Sequence, residues 1–525
     1  MKIAVKKGKH RMLFRRQALT DSKASFSFTN RNISENFSYS QSVRISSDPL
    51  QTMAAKSEFA IPDLYTSFPL LIDHLSTETS WKQYLTVQEC LPFLSAQEDG
   101  FEYNEHGIPT LDRERHIAFL HKSLKKLPAA FVTADASRPW IFYWCLNGLV
   151  TMGEDVSQYR EPLMATIRSI QNVTGGFGGG FGQLSHLAPT YAIILALAIV
   201  GGPDSFDIID RRAMWKWLGS LKQPDGGFQM AIDGEEDVRG AYCAVVIISL
   251  LNLPLELSQD SPSWSHKQNS LLTGLPEWIS RCQTFEGGIS ARPDGEAHGA
   301  YTFCALACLC ILGEPHRIIP QLIASHQSEY YPENRYLNVN LLISWLSTRQ
   351  YAPEGGFSGR TNKLVDGCYS HWVGGCWPLM EACLDGKSTS ASDSSSRPED
   401  STSNSSAGIL YDREGLIRYI LCCCQDMSKR GGLRDKPSQS DTYHTCYVLA
   451  GLSSAQNKWY FKNSPSPNMI NSLLHAAFSW RTEARLCNKQ LYDDTDRLNS
   501  LHPLFVIPED AVQKIYIYFT SKISF

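Results

Sequence analysis

The segment Lys363–Trp372, KLVDGCYSHW, places a carboxylate and a thiol two residues apart, at Asp366 and Cys368. A later segment, DTYHTCY, adds an imidazole at His444. Zinc accepts these three ligand types, and a catalytic zinc site keeps a fourth position open. Residues two apart do not face each other inside a helix, but they can converge where a helix begins. The residue types allow a zinc site, but the spacing alone favours the simpler alternative, in which Asp366 caps a helix and Cys368 packs in the core.

The charges of such a site indicate the chemistry it would perform. A zinc ion with one carboxylate, one thiolate and one neutral imidazole has a net charge of zero. An incoming thiol would then lose its proton to the metal site without being held too tightly by excess positive charge. We therefore expect a site that activates a sulfur nucleophile.

Cationic and hydroxyl side chains near the same segment favour an anion site. Arg360 supplies a two-pronged fork and Lys363 a compact charge, and His298 and the Tyr369 hydroxyl add to them. This combination is typical of phosphate recognition, although a solvated loop surface is the alternative. The string GGFGGGFG, by contrast, lacks the Gly-Lys-Ser/Thr ending and the preceding strand of a phosphate-binding loop.

Five internal repeats provide the elements that must position these residues. Each repeat has a Gly pair, then a polar loop, then a Tyr that opens an apolar run. The Gly pairs start 51 to 76 residues apart, which leaves room for two helices per repeat. They begin at Gly175, Gly226, Gly287, Gly355 and Gly431. The pattern predicts an all-α ring of helical hairpins whose five polar loops meet at one end, around a funnel-shaped central cavity.

Aromatic residues open the apolar helix of each repeat. Trp140 and Trp144 lie four apart on an earlier predicted helix, and the others are Tyr191, Tyr242, Tyr301, Trp372 and Tyr447. Aromatic helix residues usually pack in a core. A closed ring would instead turn them toward the cavity. We therefore expect a hydrophobic pocket beneath a cationic rim, which would suit a long apolar ligand with an anionic head.

Composition excludes several classes of protein. The net charge of −4 provides no basic field for nucleic acid. The apolar run Tyr191–Val200 is too short for a bilayer, which needs about 20 residues. No secretory signal is recognisable, and the 15 cysteines are typical of a reduced, cytoplasmic protein in which most of them act as small core residues.

Two biased segments lie outside the repeats. Residues 1–55 carry ten Lys or Arg against three acids, which favours a disordered basic extension, with a mitochondrial transit peptide as the alternative. Residues 386–409 are Ser-rich and predict a disordered insertion within a helical domain that spans residues 56–525.

The loop motifs DVRGAYCA, EAHGAYTFC, GRTNKLVDGCYSHW and DTYHTCYVLAGL together resemble the β-subunit family of protein farnesyltransferases. The resemblance covers roughly Lys56 to the C-terminus, apart from the Ser-rich insertion and a divergent stretch near Asn457–Asn499. It implies an α–α toroid of six inner and six outer helices. It also implies a zinc enzyme, active as a heterodimer with an α subunit, that joins a farnesyl group to the Cys of a C-terminal CaaX motif on proteins such as small GTPases.

Individual residues inherit roles from this resemblance. Zinc is held by the residues matching Asp366, Cys368 and His444, and diphosphate by those matching His298, Arg360, Lys363 and Tyr369. Asp435 matches a carboxylate that recruits Mg²⁺ to the leaving diphosphate. The isoprenoid and peptide walls match Arg239, Trp140, Trp144, Tyr242, Tyr301 and Trp372. Further peptide contacts match Ser137, Ala188, Pro189 and Tyr443.

Three alternatives differ in testable ways. A geranylgeranyltransferase β subunit would share the zinc site, but the bulky Trp140 and Tyr447 and the acidic Asp435 favour the farnesyl enzyme. A terpene cyclase would need an Asp-x-Asp-Asp acid within a repeat, and none accompanies these loops. A non-catalytic binding toroid would hold no zinc.

Overall fold

The chain folds into short α-helices joined by turns and loops. The structure, a computed structural model, describes residues 59–69, 75–125, 127, 129–320, 336–385, 410–462, 474–485 and 490–522. The predicted disordered segments 1–55 and 386–409 lie outside these residues. The described α-helices are α1 (Glu78–Leu94), α2 (Arg113–Ser123), α3 (Arg138–Thr151), α4 (Arg160–Arg168), α5 (Leu187–Val200), α6 (Pro203–Phe206), α7 (Arg211–Leu221), α8 (Val238–Leu250), α9 (Leu275–Arg281), α10 (Gly299–Leu312), α11 (Pro315–Ile318), α12 (Val339–Ser347), α13 (Tyr369–Trp372), α14 (Cys376–Asp385), α15 (Arg413–Arg418), α16 (Thr442–Gln456) and α17 (Glu509–Thr520).

Regular structure outside the α-helices is limited. Strand β1 (Asn457–Phe461) pairs antiparallel with β2 (Trp480–Ala484), within the stretch that sequence analysis left unassigned. A π-helix, Tyr419–Cys423, continues α15. None of the helices in the described ranges combines the length and the apolar composition needed to cross a membrane.

The most apolar helices form a closed inner circle. Helices α5, α8 and α10 are buried on almost every side, as expected for helices that are hydrophobic all round. Each of these inner helices contacts the next in the order α3, α5, α8, α10, α13 and α16, and α16 contacts α3. Helices α4, α7 and α12, which precede the inner helices α5, α8 and α13, each bury one face. The predicted ring of helical hairpins is therefore present.

The Gly pair of each repeat lets the loop approach the next outer helix. Gly287 has a φ of +106°, and a side chain there would begin 2.1 Å from the Leu341 carbonyl oxygen of α12. Gly431, with a φ of +69°, approaches the Arg115 carbonyl of α2 in the same way, at 2.5 Å. Only glycine combines this backbone conformation with such a short approach.

Glutamine side chains fasten consecutive repeats and close the circle. Gln350 donates to the Asp412 carbonyl at 2.6 Å and accepts from its amide at 2.9 Å, at the N-cap of α15. In the fifth repeat, Gln425 accepts from the amide of Asp112, the N-cap of α2, and donates to the Thr110 carbonyl, each at 3.0 Å. The last repeat is thus bonded to the first hairpin.

The segment 498–507 crosses the C-terminal ends of the inner helices. The Asn499 amide donates to the Thr151 carbonyl at 2.9 Å. Deeper in the circle, the Tyr242 hydroxyl donates to the Leu504 carbonyl at 2.6 Å. This end of the ring is therefore covered by the chain itself, and the opposite end carries the polar loops.

Candidate functional site

The polar loops lie side by side because each is bonded to the next. The amides of Leu187, Val238 and Gly299 open α5, α8 and α10. They donate to carbonyls of the following loops, at Met230 (2.7 Å), Ala291 (2.8 Å) and Gly359 (2.8 Å). We call the end of the ring where the inner helices begin the mouth. The predicted meeting of the loops at one end is confirmed.

Asp366, Cys368 and His444 form one group at the mouth. Their potential ligand atoms lie within 4.8 Å of one another, and His444 Nε2 is 3.3 Å from Asp366 Oδ1. Within the described ranges, no other cluster of three or more His, Cys, Asp or Glu side chains meets this condition. The two side chains of the fourth loop and the one of the fifth therefore converge, as predicted.

One backbone hydrogen bond explains this convergence. The amide of Gly367, between the two fourth-loop residues, donates to the Asp435 carbonyl of the fifth loop at 2.6 Å. Asp366 also accepts from the Cys368 amide at 2.8 Å, one residue before α13 begins. The helix entrance folds the two side chains to the same side, although they are only two residues apart.

Asp441, which sequence analysis did not assign to the site, orients His444. It is the N-cap of α16, and its Oδ1 accepts from the His444 amide at 2.8 Å. Its Oδ2 lies 2.6 Å from the His444 Nδ1, which leaves Nε2 directed at Asp366. The spacing Asp-x-x-His at a helix start is the sequence signal that could have identified this residue.

The electrostatics of the group fit a divalent cation. Burial and the Asp366 carboxylate raise the pKa of the Cys368 thiol to about 12. Burial opposes ionisation of Asp366, yet the His444 ring and the Cys368 amide lower its pKa to about 2. Burial also disfavours the imidazolium, but hydrogen bonds to both carboxylates raise the pKa of His444. A thiol in such a setting ionises readily only beside a metal ion, so the donor set suits a metal.

The predicted anion clamp is partly assembled between the third and fourth loops. The His298 Nε2 lies 3.2 Å from the Tyr369 hydroxyl. Arg360 is half-buried and forms an ion pair with Glu296 at 2.9 Å, a partner that sequence analysis did not foresee. Lys363 is exposed, and its backbone amide donates to the Arg360 carbonyl. The four residues thus occupy two adjacent loops.

Two further predicted residues are held by neighbours on their own loops. The Arg239 guanidinium pairs with Asp237, the N-cap of α8, and lies 5.9 Å from the centre of the Tyr301 ring. The half-buried Asp435 carboxylate pairs with the Lys436 ammonium and accepts from the Ser438 hydroxyl. Both side chains are oriented before any ligand arrives.

Aromatic side chains from all six inner helices form a closed sequence of neighbouring rings, with centroids 4.5 to 6.0 Å apart. In order, they are Trp140, Trp144, Tyr443, Tyr447, Trp372, Phe303, Tyr242 and Tyr191. We call these eight side chains the aromatic circle. Six of the seven aromatic residues singled out from the sequence belong to the circle. Tyr301 does not, and its ring centre lies 4.9 Å from that of His298. Phe303 was missed because its position in the apolar run carries no special signal.

The remaining predicted contacts also lie at the mouth. Ser137 is exposed just before α3, and Ala188 and Pro189 form the first turn of α5, half-buried and buried respectively. Most of the predicted site residues therefore lie at or near the N-terminal end of an inner helix, or in a loop leading to one. The exceptions are Trp144, in the middle of α3, and Trp372, at the end of α13. Helix N-termini carry partial positive charge, which favours an anion bound at the mouth.

Comparisons with known proteins place this architecture. The family described as Prenyltransferase alpha-alpha toroid domain matches residues 111–507. A protein farnesyltransferase subunit beta of Pyricularia oryzae is 53% identical over 89% of this chain and 85% of its own length. One from Schizosaccharomyces pombe is 36% identical, with coverage of 86% and 99%. A geranylgeranyl transferase type-1 subunit beta of Arabidopsis thaliana is 27% identical over 65% of this chain and 84% of its own.

A solved structure supports the fold alone. The Candida albicans protein geranylgeranyltransferase-I complexed with GGPP superposes with a TM-score of 0.53 at 21% identity. The match covers 79% of this chain and 100% of that one.

Proposed function

The chain belongs to the prenyltransferase α–α toroid family and, within it, to the farnesyltransferase β subunits, and from this premise we propose how its site works. With an α subunit, it transfers a farnesyl group from farnesyl diphosphate to the Cys of a C-terminal CaaX motif, on proteins such as small GTPases. The product is a thioether. The observation that carries the proposal is the Asp366–Cys368–His444 group beside the aromatic circle.

Zinc is the metal that these three side chains suit, because it combines readily with carboxylate, thiolate and imidazole ligands. When bound, it would make the substrate thiol a thiolate near neutral pH and so supply the nucleophile. Asp441 keeps the His444 ring oriented toward the group. The neighbouring Trp372 indole donates to the Tyr443 hydroxyl at 3.0 Å, which fixes the wall beside it.

The diphosphate of the isoprenoid is proposed to bind His298, Arg360, Lys363 and the Tyr369 hydroxyl. As the carbon–oxygen bond breaks, negative charge grows on the leaving oxygen, and fixed cations and donors stabilise it. Arg360 would exchange Glu296 for phosphate, and the exposed Lys363 is free to reach over the ligand. Asp435 is proposed to contact a Mg²⁺ ion that accompanies the diphosphate.

The isoprenoid chain is proposed to lie against the aromatic circle. Burial of about a dozen carbons corresponds to roughly 10 kcal/mol of gross transfer free energy, of which much is lost on ordering and association. Within the circle, Trp140, Trp144, Trp372 and Tyr443 are only half-buried and so offer ring surface to a ligand. The substrate peptide is proposed to contact Ser137, Trp140, Trp144, Ala188, Pro189, Arg239 and Tyr443.

The surface around the mouth supports the proposal that a partner subunit binds there. Five apolar side chains on the loops leading to the first inner helices, or on the Gly-pair turns before them, are 77% to 98% exposed: Val132, Val173, Phe181, Leu184 and Phe285. Strongly exposed apolar side chains in several loops at the same end of the ring favour a protein interface there. We propose that the α subunit covers it and completes the site.

A cytoplasmic location completes the proposal. All fourteen cysteines in the described ranges are free and buried, which suits a reducing compartment.

The test is co-expression with an α subunit, followed by metal analysis and transfer assays with farnesyl and geranylgeranyl diphosphate and CaaX peptides that differ in the last residue. We expect one zinc per heterodimer and a preference for farnesyl diphosphate. Cys368→Ser should remove both zinc and activity. Cys282→Ser, at a buried cysteine outside the group, should retain them. A heterodimer without zinc and without transfer would indicate a binding toroid, and a preference for the longer donor would indicate a geranylgeranyl enzyme.

A further inference from the structure

A small cavity lies next to the aromatic circle. It is bordered by His371 on α13, by Gly375 between α13 and α14, by Ala450 and Ser453 on α16, and by Trp459 on β1. The covering segment 498–507 lines its far side. A side chain that lies between this cavity and the aromatic circle would separate the cavity from the proposed isoprenoid pocket.

The imidazole of His371 lies between the cavity and the aromatic circle. Its ring centre lies 4.5 Å from that of Phe303, 4.8 Å from Trp372 and 5.3 Å from Tyr447, and it stacks on the Tyr447 ring at an interplanar angle of 23°. Three consecutive members of the aromatic circle thus rest on one side chain. On its other side, His371 borders the cavity.

The interaction is one of packing rather than charge. His371 is 4% exposed, and burial lowers its pKa to about 3, so the ring is neutral at any working pH. Its Nε2 has no hydrogen-bond partner among the described residues. A buried nitrogen without a hydrogen-bond partner is unfavourable, so a hydrogen bond at Nε2 does not explain the presence of a histidine at this position.

We propose that His371 is a positioning residue for isoprenoid length, holding Tyr447 and Trp372 in place so that the pocket ends at their rings. The inference rests on the proposed function. Protein interiors are close-packed, so a ring keeps its place when its neighbours leave it no room. Without the imidazole, the Tyr447 ring gains the space of that side chain and the cavity behind it. It can then tilt toward the cavity and make room for a further five-carbon unit.

The experiment compares three variants of the heterodimer with a single CaaX peptide. His371→Ala removes the support, His371→Phe restores a ring of similar size, and Ser453→Ala changes the same cavity without touching Tyr447. The readout is the ratio of kcat/KM for geranylgeranyl diphosphate to that for farnesyl diphosphate. We expect the ratio to rise about tenfold or more for His371→Ala, within the range that hydrophobic pockets achieve, and to stay at the wild-type value for the other two.

The outcomes separate this inference from the proposed function. If the wild type transfers farnesyl and His371→Ala keeps the wild-type ratio, the positioning role is wrong and the function stands. A wild type that transfers nothing overturns the function itself. Should His371→Ala fail to fold, His371→Cys also removes the ring but leaves a smaller void beside Tyr447. An unchanged ratio in that folded variant would overturn the inference, and a raised ratio would support it.

Discussion

The Asp441 carboxylate lies 2.6 Å from Nδ1 of His444, and its other oxygen accepts the amide of the same residue at 2.8 Å. One side chain therefore caps α16 and orients the imidazole that faces Asp366 and Cys368. Partners of this kind fix which ring nitrogen is available to a metal and raise its basicity.

Replacing Asp441 with Ser should weaken metal binding while sparing the helix. Serine is also a good N-cap, but its side chain is too short to reach Nδ1. We expect metal affinity to fall by about 10- to 100-fold, measured by competition with a chelator. Asp441→Ala should lose the cap as well and melt earlier. Equal metal affinity in Asp441→Ser and wild type would show that the ring needs no such partner.

Trp140→Thr should admit a longer isoprenoid. The half-buried indole lies 5.6 Å from that of Trp144 and 5.8 Å from the Tyr191 ring, so its loss opens the aromatic circle. We expect the kcat/KM ratio for geranylgeranyl over farnesyl diphosphate to rise about tenfold or more. Trp81→Thr, at an exposed tryptophan on α1, serves as the control. A folded Trp140→Thr variant that still strictly prefers farnesyl diphosphate would contradict the size argument.

Lys222→Gln should stabilise the protein most at neutral pH and below. Lys222 takes the place that glutamine holds in the other four repeats, and its ammonium is fully buried, donating to the Gly226 carbonyl at 2.6 Å. Burial lowers its pKa from 10.5 to about 7. A depressed lysine pKa means that this residue contributes to stability above pH 10.5 and loses that contribution as the pH falls toward 7.

The free energy of unfolding of wild type should therefore rise, relative to Lys222→Gln, by up to about 1.4 kcal/mol per pH unit between pH 7 and 10. Denaturation series at several pH values test this slope. Lys216→Gln, at an exposed lysine on α7, should show no such trend. Parallel curves for wild type and Lys222→Gln would mean that the buried ammonium stays protonated throughout.

Gly287→Ala should be strongly destabilising. A Cβ there would begin 2.1 Å from the Leu341 carbonyl oxygen, and the φ of +106° is also unfavourable for alanine. We expect a loss of about 3 kcal/mol or more, by thermal or chemical denaturation. Gly153→Ala shares a positive φ but meets no atom within 4 Å, so it should lose only about 1 kcal/mol. Similar losses in both variants would show that the close approach is unimportant.

Much of the site could be predicted because its metal-ligating and cationic residues lie in short sequence motifs. Asp366, Cys368 and His444 have side chains with few roles in common other than metal binding, and the loops that carry them recur in register. Glu296, Phe303 and Asp441 were not assigned because an acid on a loop, a Phe in an apolar run and a cap before a helix occur in most helical proteins. Only their positions relative to distant residues distinguish them.

The sequence alone determined the helical class, the five repeats and the types of ligand, because periodic apolar runs and Gly pairs act locally along the chain. Only the tertiary structure shows how the repeats contact one another and which side chains they bring together. The bond from Gln425 to Asp112 closes the circle, the bond from Gly367 to Asp435 brings the metal ligands together, and His371 supports Tyr447. These relationships join segments far apart in the chain, and short-range sequence patterns do not record which distant surfaces will meet when the ring closes.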